Sequence, residues 1–317
     1  MKKIERVNCV LKGEVPDQPP MGFWLHFPKD TISKGVEAQV AAHLEFKEKT
    51  QTDILKIMNE NEMRSNHKIE QLHEWKNIPK LSRDSKLITD QADILQRIVE
   101  ANQENCYLLG TVHGVIASLS HASGHSYSVS PPLINDHYQR NPKAVMEGLK
   151  IIEENTQYVL EMTMNSGVQG IYYAALGGEK DKFSDTFIQE LLRPTECGLL
   201  KQVEKREEIS TFLHICKEET VLENYRDYPC DVVNWAMHES SYSFSEARQI
   251  FGNKVYLGGF DDRSGVLVDG NEQEIQEKLN DIYQEFKGSR YIIGADCTLP
   301  TDIPLTKLSD IHDYLKQ

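Results

Sequence analysis

Short β-rich runs alternate with longer helical patterns along nearly the whole chain, and this alternation restricts the fold more than any other feature. The runs Met21–Phe27, Asp53–Met58, Tyr107–Val112, Gly170–Ala175, Thr211–Cys216, Asp231–Trp235, Val255–Gly259 and Tyr291–Ala295 read as strands. Helical patterns lie over Val36–Lys49, Gln91–Asn102, Pro142–Asn165, Ser184–Leu192, Ser243–Phe251, Glu272–Phe286 and Leu305–Leu315. Several carry start signals: Ser184 before Phe187, Pro142 at a first helical position, and Asn271 three residues before Glu274, the spacing of a capping box. Strands separated by helices pair in parallel, because the crossover returns the chain to the same edge. Eight strands, most followed by a helical pattern, in 317 residues predict an α/β fold, a (β/α)8 TIM barrel forming one domain over 1–317, with a doubly wound sheet as the alternative. The chain has no Gly-rich dinucleotide fingerprint, no P-loop and no internal repeat. Two stretches fall outside the alternation and are expected to cover the barrel mouth. One is the polar segment 60–87 around Trp75, read as an insertion with a hairpin; the other is 118–141, a long loop that holds His121, His125, His137 and Pro131-Pro132 and is read as a lid or an oligomer contact.

Composition narrows the function classes. A net charge of −14 repels phosphate backbones, so a nucleic-acid partner is not expected. No run approaches the ~20 apolar residues of a membrane span, and no apolar core follows Met1–Arg6 as in a secretory signal. The expectation is a cytoplasmic protein without a membrane partner. In a reducing compartment six cysteines are packed thiols, ligands or nucleophiles. Cys9, Cys106, Cys197 and Cys230 have no partner nearby in sequence and read as packed thiols.

Cys216 and Cys297 differ. Strand side chains alternate with period two, so His214 and Cys216 share one face of Thr211–Cys216, with Phe212, and lie toward its C-terminal end. Cys297 follows Tyr291–Ala295, again at the C-terminal end, where barrel active sites sit. One imidazole and two thiols make a soft three-ligand set suited to zinc, with a fourth position open to substrate. By position at strand ends, His26, Asn59, His113, Tyr173, Glu179 and Asp261 are substrate-binding candidates; Lys180, Lys182 and Arg263 read as solvated charges.

Arg6-Val-Asn-Cys-Val-Leu-Lys-Gly-Glu-Val-Pro-Asp17, Pro20-Met-Gly-Phe-Trp24, Leu213-His-Ile-Cys216, Leu257-Gly-Gly-Phe-Asp261 and Tyr291-Ile-Ile-Gly-Ala-Asp-Cys297 resemble segments of the uroporphyrinogen decarboxylase superfamily. The resemblance extends from about Arg6 to Leu315 and implies a (β/α)8 barrel. Decarboxylases of that superfamily hold substrate carboxylates with an Arg-Gln-Ala-Gly-Arg-Tyr segment soon after the first strand; here Trp24-Leu-His-Phe-Pro-Lys-Asp30 contains no arginine. Gly258-Gly-Phe-Asp-Asp262 keeps only the first Gly and Asp261 of the family's Gly-Asn-x-Asp-Pro turn. The His-x-Cys motif with a distant Cys is similar instead to the metal-binding branch, which includes methylcobalamin:coenzyme M methyltransferases; cobalamin-independent methionine synthase uses a similar set with an intervening glutamate. This resemblance implies zinc held by His214, Cys216, Cys297 and Glu239, with His238 or solvent as alternatives for the fourth position. It implies a zinc-dependent methyltransferase moving a methyl group between a corrinoid, carried by a partner protein, or a similar donor and a zinc-activated small thiol; a homodimer is compatible with it. Two other readings stand beside it: a decarboxylase of a porphyrinogen or other carboxylated substrate, and a non-catalytic relative that binds a ligand or a corrinoid protein.

Overall fold

The computed structural model describes residues 1–61, 63–103 and 105–316, so Glu62 of the segment 60–87 lies outside the described residues. Seven parallel strands follow one another in chain order: β1 (Ile54–Ile57), β2 (Tyr107–His113), β3 (Gly170–Ala175), β4 (Ser210–Ile215), β5 (Val232–Trp235), β6 (Val255–Phe260) and β7 (Arg290–Ala295). Each pairs with the next, and the sheet curls. The expected first strand, Met21–Phe27, is present as an extended segment but makes no regular ladder. It forms single parallel bridges, Met21 to Ile293 and Leu25 to Leu299. On its other side the Met21 carbonyl accepts from the Asp53 and Ile54 N–H groups at 3.0 and 3.2 Å. One carbonyl taking both donors ends the register toward the four-residue β1. The lack of an N–H at Pro20 limits bonding on the β7 side. The segment nevertheless joins β7 to β1, and the architecture is that of a (β/α)8 barrel.

The helices surround the sheet: α1 (Lys3–Leu11), α2 (Val36–Thr50), α3 (Lys86–Asn102), α4 (Val115–Ala122), α5 (Ser130–Arg140), α6 (Pro142–Met164), α7 (Arg193–Glu204), α8 (Phe244–Phe251), α9 (Glu272–Glu285) and α10 (Thr306–Leu315). Three start signals are realised. Ser184 Oγ accepts from the Phe187 N–H at 3.2 Å, Asn271 and Glu274 form a capping box, and Pro142 opens α6. The pattern over Ser184–Leu192 is one turn of α-helix followed by a π-helical stretch, Ile188–Leu192, that runs into α7. Pro194 has no N–H to continue the ladder, and the Arg193 N–H bonds the Ile188 carbonyl five residues back.

The two segments outside the strand–helix alternation differ from expectation. Residues 118–141 contain most of α4 and all of α5 rather than a loop, because Pro131 and Pro132 fall in the first turn of α5, where no N–H is needed. Among the described residues of 60–87 there is no hairpin; a 3-10 helix, Leu72–Asn77, capped by Gln71 and Glu74, precedes the start of α3 at Lys86. The segments are bonded to each other: Ser65 N–H donates to the His121 carbonyl at 3.1 Å and Ile69 N–H to the Ser123 carbonyl at 2.9 Å. Trp75 Nε1–H donates to His137 Nδ1 at 2.9 Å. No helix is long and apolar enough to cross a membrane among the described residues.

Candidate metal centre and its cavity

Alternation along β3 and β4 decides which side chains enter the barrel. Tyr172 and Ala174, with His214, line an internal cavity of about 230 Å³, which also receives Lys56, Asn59, Thr111 and His113 from β1, β2 and their ends. Cys216 lies just past β4, and Cys297 and Thr298 just past β7, so the cavity opens at the C-terminal ends of the strands. Tyr127 and Lys217 complete the wall.

His214 Nε2, Cys216 Sγ and Cys297 Sγ converge, all within 4.8 Å of one another, and they are the set of this kind among the described residues. Cys297 Sγ lies 3.4 Å from His214 Nε2. The imidazole is oriented from behind. Asn234, opposite His214 in the β4–β5 register, donates through Nδ2 to the Leu257 and Ala295 carbonyls, both at 3.0 Å. Those two bonds turn its Oδ1 toward His214 Nδ1, 2.6 Å away. An amide oxygen only accepts, so Nδ1 carries the proton and Nε2 presents its lone pair to the thiols. Tyr172 stacks on the ring at 5.2 Å with a 20° interplanar angle. His214 is 2% exposed, so this orientation is fixed inside the barrel wall.

The two thiols act as a pair. Hydrogen bonding from Cys216 and the proximity of His214 hold the Cys297 thiol well below its ordinary pKa, and the shared interaction pushes Cys216 up. Burial lowers His113 to about 3 and His121 to about 4, so both rings are neutral. Burial also lowers Lys56 to about 8. Its ammonium sits 3.9 Å from the Tyr172 ring centroid and 5.2 Å from that of Trp24. Just beyond Cys297, the buried Asp262 is raised to about 6, first by burial and then by the Cys297 charge.

The structure brings some sequence candidates to the cavity and keeps others away. His26, Asn59 and His113 line it; His26 is 53% exposed and bonds Glu60 Oε1 through Nδ1 at 2.8 Å. Glu179 backs the wall, accepting from Tyr127 OH at 2.7 Å and the Gly177 N–H at 2.8 Å. Tyr173 does not reach the cavity. One residue out of phase with Tyr172, it points to the helix layer and donates to Glu196 Oε1 at 3.1 Å. Asp261 fastens a turn, accepting from the Arg263 and Ser264 N–H groups at 2.8 and 3.1 Å. Glu239 stays outside the three-donor set with its carboxylate 3.5 Å from Arg263. His238 is held by Asp296, 3.0 Å from Nδ1. Sequence reasoning missed Lys56, Tyr172 and Asn234. Two had a visible signal: Lys56 interrupts Ile54–Ile57 and Asn234 interrupts Val232–Trp235, polar groups inside otherwise apolar strands.

The family model described as "Uroporphyrinogen decarboxylase (URO-D)" matches residues 44–317. Among solved structures, a methyltransferase from Methanosarcina mazei is 14% identical with a TM-score of 0.81, over 99% of this chain and 98% of that one. A B12-independent methionine synthase from Shewanella sp. W3-18-1, in complex with selenomethionine, is 11% identical with a TM-score of 0.60, over 94% and 92%. A putative vitamin-B12 independent methionine synthase from Listeria monocytogenes is 11% identical with a TM-score of 0.56, over 93% and 95%. At these identities the likeness is one of fold. No curated protein matches the chain.

Proposed function

The chain belongs to the uroporphyrinogen decarboxylase (URO-D) family, and from that premise we propose that it is a zinc-dependent methyltransferase, moving a methyl group between a corrinoid or similar donor and a thiol substrate. The observation that carries the reading is the convergence of His214 Nε2, Cys216 Sγ and Cys297 Sγ at the edge of an internal cavity. The set fits zinc in chemistry and spacing. Tetrahedral zinc with Zn–S of about 2.3 Å and Zn–N of about 2.0 Å places its donors about 3.5–3.8 Å apart, close to the 3.4 Å between Cys297 Sγ and His214 Nε2. A zinc ion there would supply deprotonation of a bound substrate thiol at neutral pH.

The chain's own residues do the rest. Asn234 and Tyr172 present one lone pair of His214 and prevent the ring from turning. The two cysteines make the centre electron-rich, which favours a nucleophilic sulfur over a strongly polarising one. Neutral His113 and His121 line the pocket without adding charge. The bonded segments 60–87 and 118–141 limit access of water from one side of the mouth, leaving the rest for a methyl donor or its carrier protein. Glu239, on the rim, is our choice for a displaceable fourth ligand; it must leave Arg263 to take that place. No arginine lines the cavity among the described residues, which leaves a polycarboxylate without its usual clamp and favours methyl transfer over decarboxylation. The similar structures, a methyltransferase and a methionine synthase, support the same reading.

Metal analysis together with a methyl-transfer assay tests it. About one zinc per chain, and methylation of a thiol from methylcobalamin, are expected; full activity in metal-free protein refutes the reading.

A further inference from the structure

Lys56 is the least explained charge in the barrel. It is 5% exposed, lies on β1 and lines the cavity beside the three metal donors. Burying an ammonium is costly, and such groups ordinarily pair with a carboxylate. Lys56 makes no hydrogen bond or ion pair among the described residues; its nitrogen rests on the faces of Tyr172 and Trp24. These rings offset part of the desolvation and aim the charge, but they do not neutralise it. Glu60, whose field reaches Lys56, is bonded by His26. With zinc in place the cysteines cannot serve either, because two cysteinates cancel one dication. The remaining wall near Lys56 is neutral: Thr111, Asn59, and the two uncharged histidines. The ammonium is left over for something that enters the cavity, and a cavity of about 230 Å³ admits only a small molecule.

We propose that Lys56 anchors an acidic group of the substrate, a carboxylate or similar oxyanion on the same small molecule whose sulfur meets His214, Cys216 and Cys297. The inference rests on the thiol-methyltransferase reading and adds a specificity-determining residue to it: the substrate is a short thiol acid, held at both ends inside the barrel. A charge-assisted hydrogen bond in this setting is worth about 10- to 100-fold in affinity.

The test is calorimetric titration of the zinc-loaded protein with 3-mercaptopropionate and with its neutral amide. Wild type is expected to bind the acid at least about tenfold more tightly. Lys56→Met, similar in length but uncharged, is expected to bind both equally; Lys56→Arg, which keeps the charge, retains the preference and guards against misfolding of the methionine variant. Equal binding of acid and amide by wild type overturns the inference while leaving the thiol reading intact. So does a preference that survives in Lys56→Met and disappears in Lys217→Met, which assigns the anchor to the ammonium over Tyr127 at 5.3 Å. If neither thiol binds, the thiol reading fails, and titration with propionate decides Lys56 by itself: binding lost in Lys56→Met supports an anion anchor, and no binding to wild type overturns it.

Discussion

Glu196 offers a test of the barrel wall that does not depend on the proposed chemistry. It lies on α7, fully buried, and accepts from three donors: the Val115 N–H at 3.0 Å, Tyr173 OH at 3.1 Å and Tyr228 OH at 2.9 Å. Burial outweighs these bonds and raises the carboxyl from 4.5 to about 7. A carboxyl with a raised folded-state pKa binds its proton more tightly when folded, so its contribution to stability is present at low pH and is lost as pH rises from the unfolded value through the folded one. At 1.36 kcal/mol per pH unit, the rise from 4.5 to about 7 corresponds to about 3 kcal/mol lost by pH 8. Glu196→Gln keeps an oxygen for Val115 and Tyr173 and turns an amide toward Tyr228, whose hydroxyl oxygen accepts. Urea unfolding of both proteins from pH 5 to 8 isolates this one group, because every other titration is common to the pair. The expected result is near-equal stability at pH 5 and a glutamine variant more stable by about 2–3 kcal/mol at pH 8. Parallel curves would refute the argument that the site is dry enough to hold a neutral carboxyl.

Three further outcomes test the proposed zinc site. Cys216→Ser is expected to lose the zinc altogether, measured by metal content after dialysis. Asn234→Ala releases the imidazole and orphans the Leu257 and Ala295 carbonyls; zinc affinity, read by chelator competition, should fall by about 10- to 100-fold and stability by about 2–3 kcal/mol. Glu239→Gln should keep its zinc with affinity lowered by no more than about tenfold, since that group is offered here as displaceable.

The barrel was legible because strand–helix alternation leaves few topologies for a parallel sheet. Its closing segment was legible as extended chain but not in its bonding, which depends on what Ile293 and Asp53 offer from far along the sequence. In residues 118–141 the start signal is Pro131-Pro132, which open α5 where no N–H is needed, and reading the stretch only as a lid passes over it. In the site, period two sufficed for His214 and Cys216, which stand two residues apart and so share a face with Phe212. It failed for Tyr172 and Tyr173, adjacent residues of the same type, where nothing local says which enters the barrel. Lys56 and Asn234 carried their signal openly, as polar interruptions of buried strands, but their roles depend on Tyr172 and His214, which only the folded chain brings alongside.

The intermittent bonding around Met21 leaves the barrel with a seam. Gly22 donates to Ile293 and Leu299 to Trp24, with unladdered chain between them, whereas the neighbouring β6–β7 pair is continuous in register from Val255 to Phe260. Cys297 stands between those two stitches, on the seam, and its partners His214 and Cys216 belong to the middle of the sheet. An ion held by all three is therefore a tie-rod across the barrel, pulling its loosest edge toward its most continuous wall. Loading the metal should slow hydrogen exchange at Gly22, Ile293 and Leu299 and raise the melting temperature. If Glu239 is the ligand that yields to a thiol, the three donors would keep the rod in place while substrate enters.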